Sequence, residues 1–278
     1  MNTILIISII IVIIYLLTKE KMIEVFKTFL FAILIAVFLR SFAYEPFTIP
    51  SGSMKPNLLV GDFLFVSKFS YGYSKYSVPY GRYLPFEGRL FYSKVKRGDV
   101  AVFKFPRDNK TDYIKRIIGL PGDTIQIKNG QVFVNNLGLE IKKEGSFEDM
   151  HRNGYLEQFN LLKEVNNSGK EYLILDDINF DGVIGKTFDG KDDFDVNNTK
   201  NYTVPNDHFF VMGDNREHSS DSRILSQVGF VPKINLVGKA AIVFLSIEYS
   251  SNKIRLFGLE LFKIPKSIRL ERIGKLLN

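Results

Sequence analysis

Residues 112–123 read Asp112-Tyr113-Ile114-Lys115-Arg116-Ile117-Ile118-Gly119-Leu120-Pro121-Gly122-Asp123. Tyr113 to Ile118 is rich in β-branched and aromatic residues, which fit a pleated strand. Pro121-Gly122-Asp123 then stops the run with a turn. Side chains alternate along a strand, so Tyr113, Lys115 and Ile117 share one face while Arg116 points to the other. Lys115 is thereby placed among apolar neighbours on what reads as an inner face. Burial disfavours an ammonium ion and lowers its pKa. A free lysine, near 10.4, costs about 4–5 kcal/mol to deprotonate at pH 7, and desolvation has to cover that gap before the amine can act as a base. The same residues also suit an ordinary edge-strand lysine that blunts aggregation.

The strand-and-turn texture repeats on either side. Asp62 to Val66, Asp99 to Phe105, Thr124 to Ile127, Gln131 to Val134, Tyr172 to Leu175, His208 to Met212 and Lys239 to Ser246 all read as short strands. Gly-Asp pairs stand at strand edges at Gly61-Asp62, Gly98-Asp99, Gly122-Asp123 and Gly213-Asp214. At such points Gly can supply a positive φ and Asp can bond nearby backbone. Regular short strands with turn signals indicate a mostly β, antiparallel domain, expected over 44–134 and 206–278. The segment 135–205 differs, being rich in Asn, Asp, Gly and Lys, as in Asn166-Asn167-Ser168-Gly169 and Asp189-Gly190-Lys191-Asp192-Asp193. It reads as an inserted β-rich subdomain. Tyr71 to Lys96 reads as an extended ribbon or hairpin, and no solenoid-type repeat is visible.

The first 43 residues are of another kind. Ile4 to Leu17 is unbroken and apolar, Lys19-Glu20-Lys21 follows, and a second apolar stretch runs from Met22 to Ala43 with Glu24, Lys27 and Arg40 inside it. A membrane span takes about 20 apolar residues, and long basic side chains near its ends reach back to the headgroups. The expectation is an anchor of two transmembrane segments, about 4–18 and 22–43. A cleaved signal peptide fits less well, because a basic leading region and a small-residue cleavage site are both missing. Lys19, Lys21 and Lys27 put the connecting loop in the cytoplasm by the positive-inside rule, which sends the region after residue 44 to the outer side. The chain carries a formal net charge of +7 with pI near 9.3. Its basic residues are scattered rather than run together, which argues for a membrane surface and against nucleic acid. Cysteine is absent, which excludes disulfides, Cys nucleophiles and Cys-based metal sites.

Two further stretches carry chemistry. In Tyr44-Glu45-Pro46-Phe47-Thr48-Ile49-Pro50-Ser51-Gly52-Ser53-Met54-Lys55-Pro56 two prolines bracket Ser-Gly-Ser. Proline stiffens the chain and Gly52 permits a tight shape. A serine presented in this way can attack a carbonyl while its own N–H binds the oxyanion; equally, Ser-Gly-Ser is common in plain linkers. Met212-Gly213-Asp214-Asn215-Arg216-Glu217-His218-Ser219-Ser220-Asp221-Ser222-Arg223 packs carboxylates, hydroxyls and guanidinia after a strand. Asp221 with Arg223, and Asp214 with Arg216, are placed to pair and brace the loop. Its acidic spacing does not fit an EF-hand, and a solvated polar turn accounts for the composition as well.

Taken together, the three stretches in this order after an anchor, with Arg97-Gly98-Asp99-Val100 before a strand, resemble the signature boxes of type I (leader) signal peptidases. The resemblance runs from the second apolar stretch to Asp123 and from His208 to about Ser246, and it is weak across 135–205. It implies a Ser-Lys serine endopeptidase that removes signal peptides from exported preproteins, cutting after small residues of the Ala-x-Ala type. Ser53 would be the nucleophile and Lys115 the base. The Ser51 hydroxyl and the Ser53 N–H would form the oxyanion hole, and Ser219 would orient the amine. Asp214, Arg216, Asp221 and Arg223 would support the site, and Phe47, Ile49, Pro50, Met54, Tyr113 and Ile114 would line or border shallow pockets. No metal or other cofactor is implied. The expected partners are signal peptides, the lipid bilayer and a nearby export translocon. The expected location is a bacterial-type cytoplasmic membrane, crossed more than once, with the catalytic domain on the outer (periplasmic) face. Lys55 and Asn57 depart from the family's usual residues without touching a catalytic role.

Three other readings compete. A Ser-His-Asp hydrolase would use His218 with Asp214 or Asp221; only His151, His208 and His218 exist. A self-cleaving repressor of related Ser-Lys chemistry would carry a DNA-binding domain where this chain is apolar. An anchored β-domain that binds surface ligands leaves the co-occurrence of Ser53, Lys115 and the 213–223 loop unexplained.

Overall fold

The β-branched and aromatic runs do form strands in the computed structural model, which describes residues 2–78, 81–83, 85, 87–150, 155–177, 184–186, 193–256 and 259–277. The chain divides into two compact units, Met1–Ala43 and Tyr44–Asn278.

The first unit is one α-helix, α1 (Asn2–Phe42). Where two segments were expected, the helix passes through Lys19-Glu20-Lys21 without a break. Leu, Ile and Phe on all sides make it apolar all round, and every side chain from Lys21 to Arg40 is exposed. Lys21–Phe42 is long and apolar enough to cross a membrane, with mean hydropathy 2.3. At 1.5 Å per residue the whole helix runs about 60 Å, roughly twice a bilayer's hydrocarbon core.

The second unit is built of antiparallel strands. In chain order these are β1 (Tyr44–Thr48), β2 (Asp62–Ser67), β3 (Val100–Lys104), β4 (Asp112–Gly119), β5 (Thr124–Lys128), β6 (Gln131–Val134) and β7 (Leu137–Gly138). Next come β8 (Glu140–Met150), β9 (Leu156–Val165), β10 (Glu171–Asp177), β11 (Ile184–Lys186), β12 (Asp193–Asp195) and β13 (Tyr202–Thr203). The last are β14 (His208–Met212), β15 (Val231–Pro232), β16 (Leu236–Leu256) and β17 (Leu259–Ile268). The main sheet has the order β1-β2-β16-β3-β4-β14-β15, with β17 added to β16. β5, β6, β7 and β13 form a second sheet, and β8, β9 and β10 a third. Within 135–205, the strand expected at Tyr172–Leu175 lies in β10, while Asp189 to Asp192 lie outside the described residues.

Alternation sorts the main sheet's side chains to two faces. Val100, Val102 and Ile114 pack with Ile49, Met54, Leu58, Leu64, Val66, Val237, Ala240 and Val243 on one side. Ala101, Phe103, Tyr113 and Ile117 pack with Tyr71, Phe209, Val211 and Leu236 on the other. Burying each such large side chain contributes roughly 1.5–3 kcal/mol, so the position of β4 between β3 and β14 is strongly fixed. Glycine at three of the four Gly-Asp corners takes a positive φ: Gly61 (+89°), Gly98 (+86°) and Gly122 (+86°). There the Asp carboxylate accepts the N–H three residues earlier: Leu59 to Asp62 at 2.8 Å, Lys96 to Asp99 at 3.1 Å and Leu120 to Asp123 at 2.6 Å. Gly213-Asp214 does neither, for a reason that belongs to the site.

Candidate active site

β14 pairs with β4 only as far as Met212↔Arg116. Past that point the edge of β4 at Lys115 is open, and the loop joining β1 to β2 fills the opening. This loop is held at its root by Ile49 and Gly61, whose amides donate to Asp62 O (2.9 Å) and Ile49 O (3.0 Å). It tightens into two turns, Lys55 N–H to Gly52 O at 3.1 Å and Leu58 N–H to Met54 O at 2.9 Å. Met54 and Leu58 are buried in the core below, so the turn between them cannot swing away. Ser53 is presented in the first of these turns, directly before Met54, and its Oγ is hydrogen-bonded to Lys115 Nζ at 2.5 Å. Both side chains are buried, Ser53 at 8% and Lys115 at 4% exposure. Ser51 Oγ lies 3.4 Å from Ser53 Oγ, and among the described residues nothing engages the Ser53 N–H.

The loop 213–223 closes the other side. Asn215 donates its N–H to Ser53 O at 3.1 Å and its side-chain amide to Gly52 O at 3.3 Å. Gly213 is required by this approach: a Cβ there would fall 2.5 Å from Ser53 O and 2.2 Å from Ser219 Oγ. Asp221 and Arg223 pair as expected, at 2.9 and 3.0 Å. Asp221 also takes the Gly213 N–H at 3.0 Å, and Ser222 clips the loop back to Val211 through both its N–H and its hydroxyl. Burial alone would raise the Asp221 carboxyl; Arg223 and the Gly213 N–H outweigh it and hold it below the usual range.

The expected Asp214–Arg216 pairing does not form. Asp214 is held bidentately by Arg116, Nε to Oδ1 and a terminal nitrogen to Oδ2, both at 2.7 Å. Arg216 instead donates to Glu164 of β9 at 2.8 Å. The strand register explains the exchange: Arg116 lies beside Met212 on β14, so its side chain meets the residues that leave that strand. Arg216 follows its own backbone toward β10, where its N–H bonds Leu175 O.

The electrostatics follow from these partners. Burial pushes the Lys115 amine down to about 8, against the raising pull of Asp221 and Asp214 and with help from Arg223. For Arg116, burial works against the charge and Asp214 overrides it, so its pKa is raised. Ser219 is buried, and its Oγ makes no hydrogen bond to Lys115; it stands beside Asp221 and helps hold that carboxyl low. Of the pocket candidates, Ile49 and Met54 are buried in the core, Phe47, Tyr113 and Ile114 are half-buried, and Pro50 is exposed. Tyr113 stacks on Phe105 at 4.8 Å. His218 points away from the dyad: its ring meets Phe159 edge-on at 5.4 Å and Glu157 at 3.9 Å. His151 lies outside the described residues.

Sequence reasoning missed Asn57, Asn215 and Glu164. Asn57 donates to both Asp214 Oδ2 and Leu173 O at 2.7 Å, and its carbonyl accepts Arg272 at 2.9 Å and Lys275 at 3.1 Å. The C-terminal segment thus reaches the loop that carries Ser53, with Arg272 also clasping the buried Asp62. The partners of Asn57 lie 157, 116 and 215 positions away, and Glu164 meets Arg216 from 52 positions away, so no local pattern signals these contacts. Asn215 at least stood inside a stretch already singled out.

A family model described as signal peptidase, peptidase S26 matches residues 22–245. Signal peptidase I of Rickettsia typhi (strain ATCC VR-144 / Wilmington) is 37% identical over 263 residues, covering 93% of this chain and 95% of its own. Signal peptidase I of Rickettsia felis (strain ATCC VR-1525 / URRWXCal2) is 38% identical over 251 residues, covering 88% and 90%. Among solved structures, a signal peptidase I from Enterococcus faecalis V583 is 25% identical, with a TM-score of 0.29, over 53% of this chain and 97% of that one.

Proposed function

The chain belongs to the signal peptidase family, peptidase S26, and on that premise we propose how its own residues carry the reaction. It is a serine endopeptidase that removes signal peptides from preproteins. The observation that carries the assignment is the buried contact between Ser53 Oγ and Lys115 Nζ at 2.5 Å. With a pKa of about 8, the amine is free base in roughly one molecule in ten at pH 7, a cost of about 1.4 kcal/mol in place of 4–5.

In this reading the neutral Lys115 amine takes the Ser53 hydroxyl proton as Oγ attacks the carbonyl carbon of the last signal-peptide residue. The Ser53 N–H and Ser51 Oγ receive the oxyanion, a contact of the kind worth about 3–4 kcal/mol. The Lys115 ammonium then gives its proton to the departing amine, the new N-terminus of the mature protein. An acyl ester on Ser53 remains. Water, deprotonated by the same amine, attacks the ester, and the ammonium returns its proton to Ser53 Oγ as the signal peptide leaves with a free carboxylate. Ser219 accepts from the ammonium while it is charged, and Asp214, Arg216, Asp221 and Arg223 hold the loop in place. Phe47, Ile49, Pro50, Met54, Tyr113 and Ile114 shape shallow pockets that admit small residues before the cut, in the Ala-x-Ala pattern. The 135–205 segment is an insertion in a catalytic domain of 44–134 and 206–278.

The anchor places this chemistry at a bilayer, with the catalytic domain outside and Lys19, Lys21 and Lys27 inside. A single straight crossing by Lys21–Phe42 would leave Ile4 to Leu17 as a bare apolar helix in water. A break near Thr18–Met22 lets the first stretch cross as well, giving a multi-pass protein beside the export translocon. The chain has no cysteine, so single cysteines introduced at Asn2, Lys19 or Asn167 and labelled with an impermeant reagent report each side; Asn167 labelled only after permeabilisation defeats the orientation.

The activity test is cleavage of a purified preprotein bearing an Ala-x-Ala site, in detergent. Wild type cuts after the small residue, and Ser53→Ala and Lys115→Ala do not. An inert wild type, or a fully active Lys115→Ala, defeats the reading.

A further inference from the structure

We propose that Glu164, in the 135–205 segment, is a positioning residue for the dyad; this rests on the Ser53–Lys115 reading above. Glu164 is fully buried, and its Oε1 accepts the Tyr172 hydroxyl at 2.6 Å and Arg216 at 2.8 Å. The Tyr172 ring in turn lies under the Arg116 guanidinium at 4.1 Å, and Arg116 holds Asp214. Glu164 therefore reaches both ends of the three-residue segment Asp214-Asn215-Arg216. It holds Arg216 directly and Asp214 by way of Tyr172 and Arg116. The middle residue, Asn215, is the one whose N–H fixes Ser53 O. The backbone of the same segment is laced to β10, Leu175 N–H to Asp214 O and Arg216 N–H to Leu175 O, both at 2.9 Å.

This arrangement does not read as a device for stability. A buried ion pair recovers its desolvation only with excellent geometry. Here Glu164 Oε2 and Arg216 Nε and Nη1 find no hydrogen-bond partner among the described residues. The pair is a poor source of energy and a good source of direction: one carboxylate oxygen sets where two arginine-held loop ends sit. Displacing a reacting group by an ångström costs about a hundredfold in rate, so a registry device under Ser53 acts on kcat.

The test uses the full chain in detergent with a preprotein substrate and rates counted per active enzyme. The variants are Glu164→Gln, Glu164→Asp and the double substitution Glu164→Gln/Arg216→Gln, with Ser53→Ala as the blank. Glu164→Gln is expected to lower kcat about tenfold or more with KM within about twofold. Water admitted to the loosened site moves the acid-side midpoint of kcat/KM up by about half a pH unit or more. Glu164→Asp recovers part of both. The double variant carries no unpaired charge, so it decides alone should Glu164→Gln not fold. If it has wild-type kcat and an unmoved midpoint, the proposal is overturned. Loss of activity only in proportion to unfolded protein, with the midpoint unmoved, marks a merely structural role and also overturns it. A wild type that fails to cut would instead remove the peptidase reading itself.

Discussion

Lys115 and Arg116 are consecutive cations on β4, both buried, and they face opposite sides of one sheet. On the Arg116 side a carboxylate waits at bidentate distance, and the guanidinium is held more firmly charged than in water. On the Lys115 side the nearest polar partner is a serine hydroxyl, and the amine is driven toward neutrality. Burial is nearly the same in the two cases; what differs is who owns the carboxylates. Asp214 and Asp221 both act on Lys115 through space, yet each is bonded to an arginine, Arg116 and Arg223 respectively. The arginines occupy the acids that would otherwise keep the lysine charged. The proposed base and its brace are thus made from adjacent residues by the pleat alone.

The contrast breaks most completely if the base is made to behave like the brace. Lys115→Arg keeps a cation of similar reach, but a guanidinium does not give up its proton in a protein. Cleavage should fall by about 10⁴-fold or more, as when a member of a catalytic triad is removed. A Lys115→Arg enzyme within tenfold of wild type would mean that charge, and not proton transfer, is what position 115 supplies. The brace breaks next: Asp214→Asn leaves Arg116 buried without a carboxylate. Losing one partner of a buried pair costs about 3–5 kcal/mol, measured as a drop in urea-unfolding stability at pH 7. A loss under 1 kcal/mol would show that Gly98 O, which accepts from Arg116 at 2.8 Å, suffices to hold the guanidinium.

Much of this contrast is legible in the sequence. Tyr113 to Ile118 declared its strand by residue type, and alternation alone put Lys115 and Arg116 on opposite faces. β1 is not legible, because the stretch 44–56 reads as a setting for its Ser-Gly-Ser or else as a plain linker; the strand lies at the sheet edge, where the missing N–H of Pro46 does no harm. The four Gly-Asp pairs look alike in sequence, yet three are turn devices closed on their own backbone. The fourth spends its glycine on closeness to Ser53 and its aspartate on Arg116. Nothing local separates them, since the difference is made by a strand almost a hundred residues away. The same limit hid Glu164 and Asn57 and led Asp214 to be paired with its near neighbour Arg216. Sequence proximity suggests partners, and register chooses them.

The comparison can also be sharpened without enzyme assays. Lys115 titrates near 8 when folded and near 10.4 when unfolded. Between these values the unfolded chain holds more protons, so wild-type stability rises as pH increases from about 8 to 10.4, by about 3 kcal/mol in total. Below pH 8 the folded protein carries the full cost of a buried ammonium. Lys115→Met removes that cost. The variant should be more stable than wild type by about 3 kcal/mol at pH 7, and the difference should close by about pH 10.5. Urea midpoints at the two pH values measure it. A constant difference would locate the gain in packing rather than in the charge.

The smallest effect is expected where the rival mechanism predicts the largest. In a Ser-His-Asp enzyme, His218→Ala would remove the base and with it nearly all of the activity. Here the imidazole is half-exposed, lies against Phe159 and Glu157, and bonds neither Ser53 nor Asp221. Its tie to the site is through the backbone, where the His218 N–H donates to Asn215 Oδ1 at 3.2 Å, and alanine keeps that bond. His218→Ala should therefore leave kcat/KM within about twofold and the acid limb near 8. A thousandfold loss, or an acid limb that vanishes with the ring, would transfer the proton from the lysine face of β4 to the loop and dissolve the contrast between Lys115 and Arg116 as an account of catalysis.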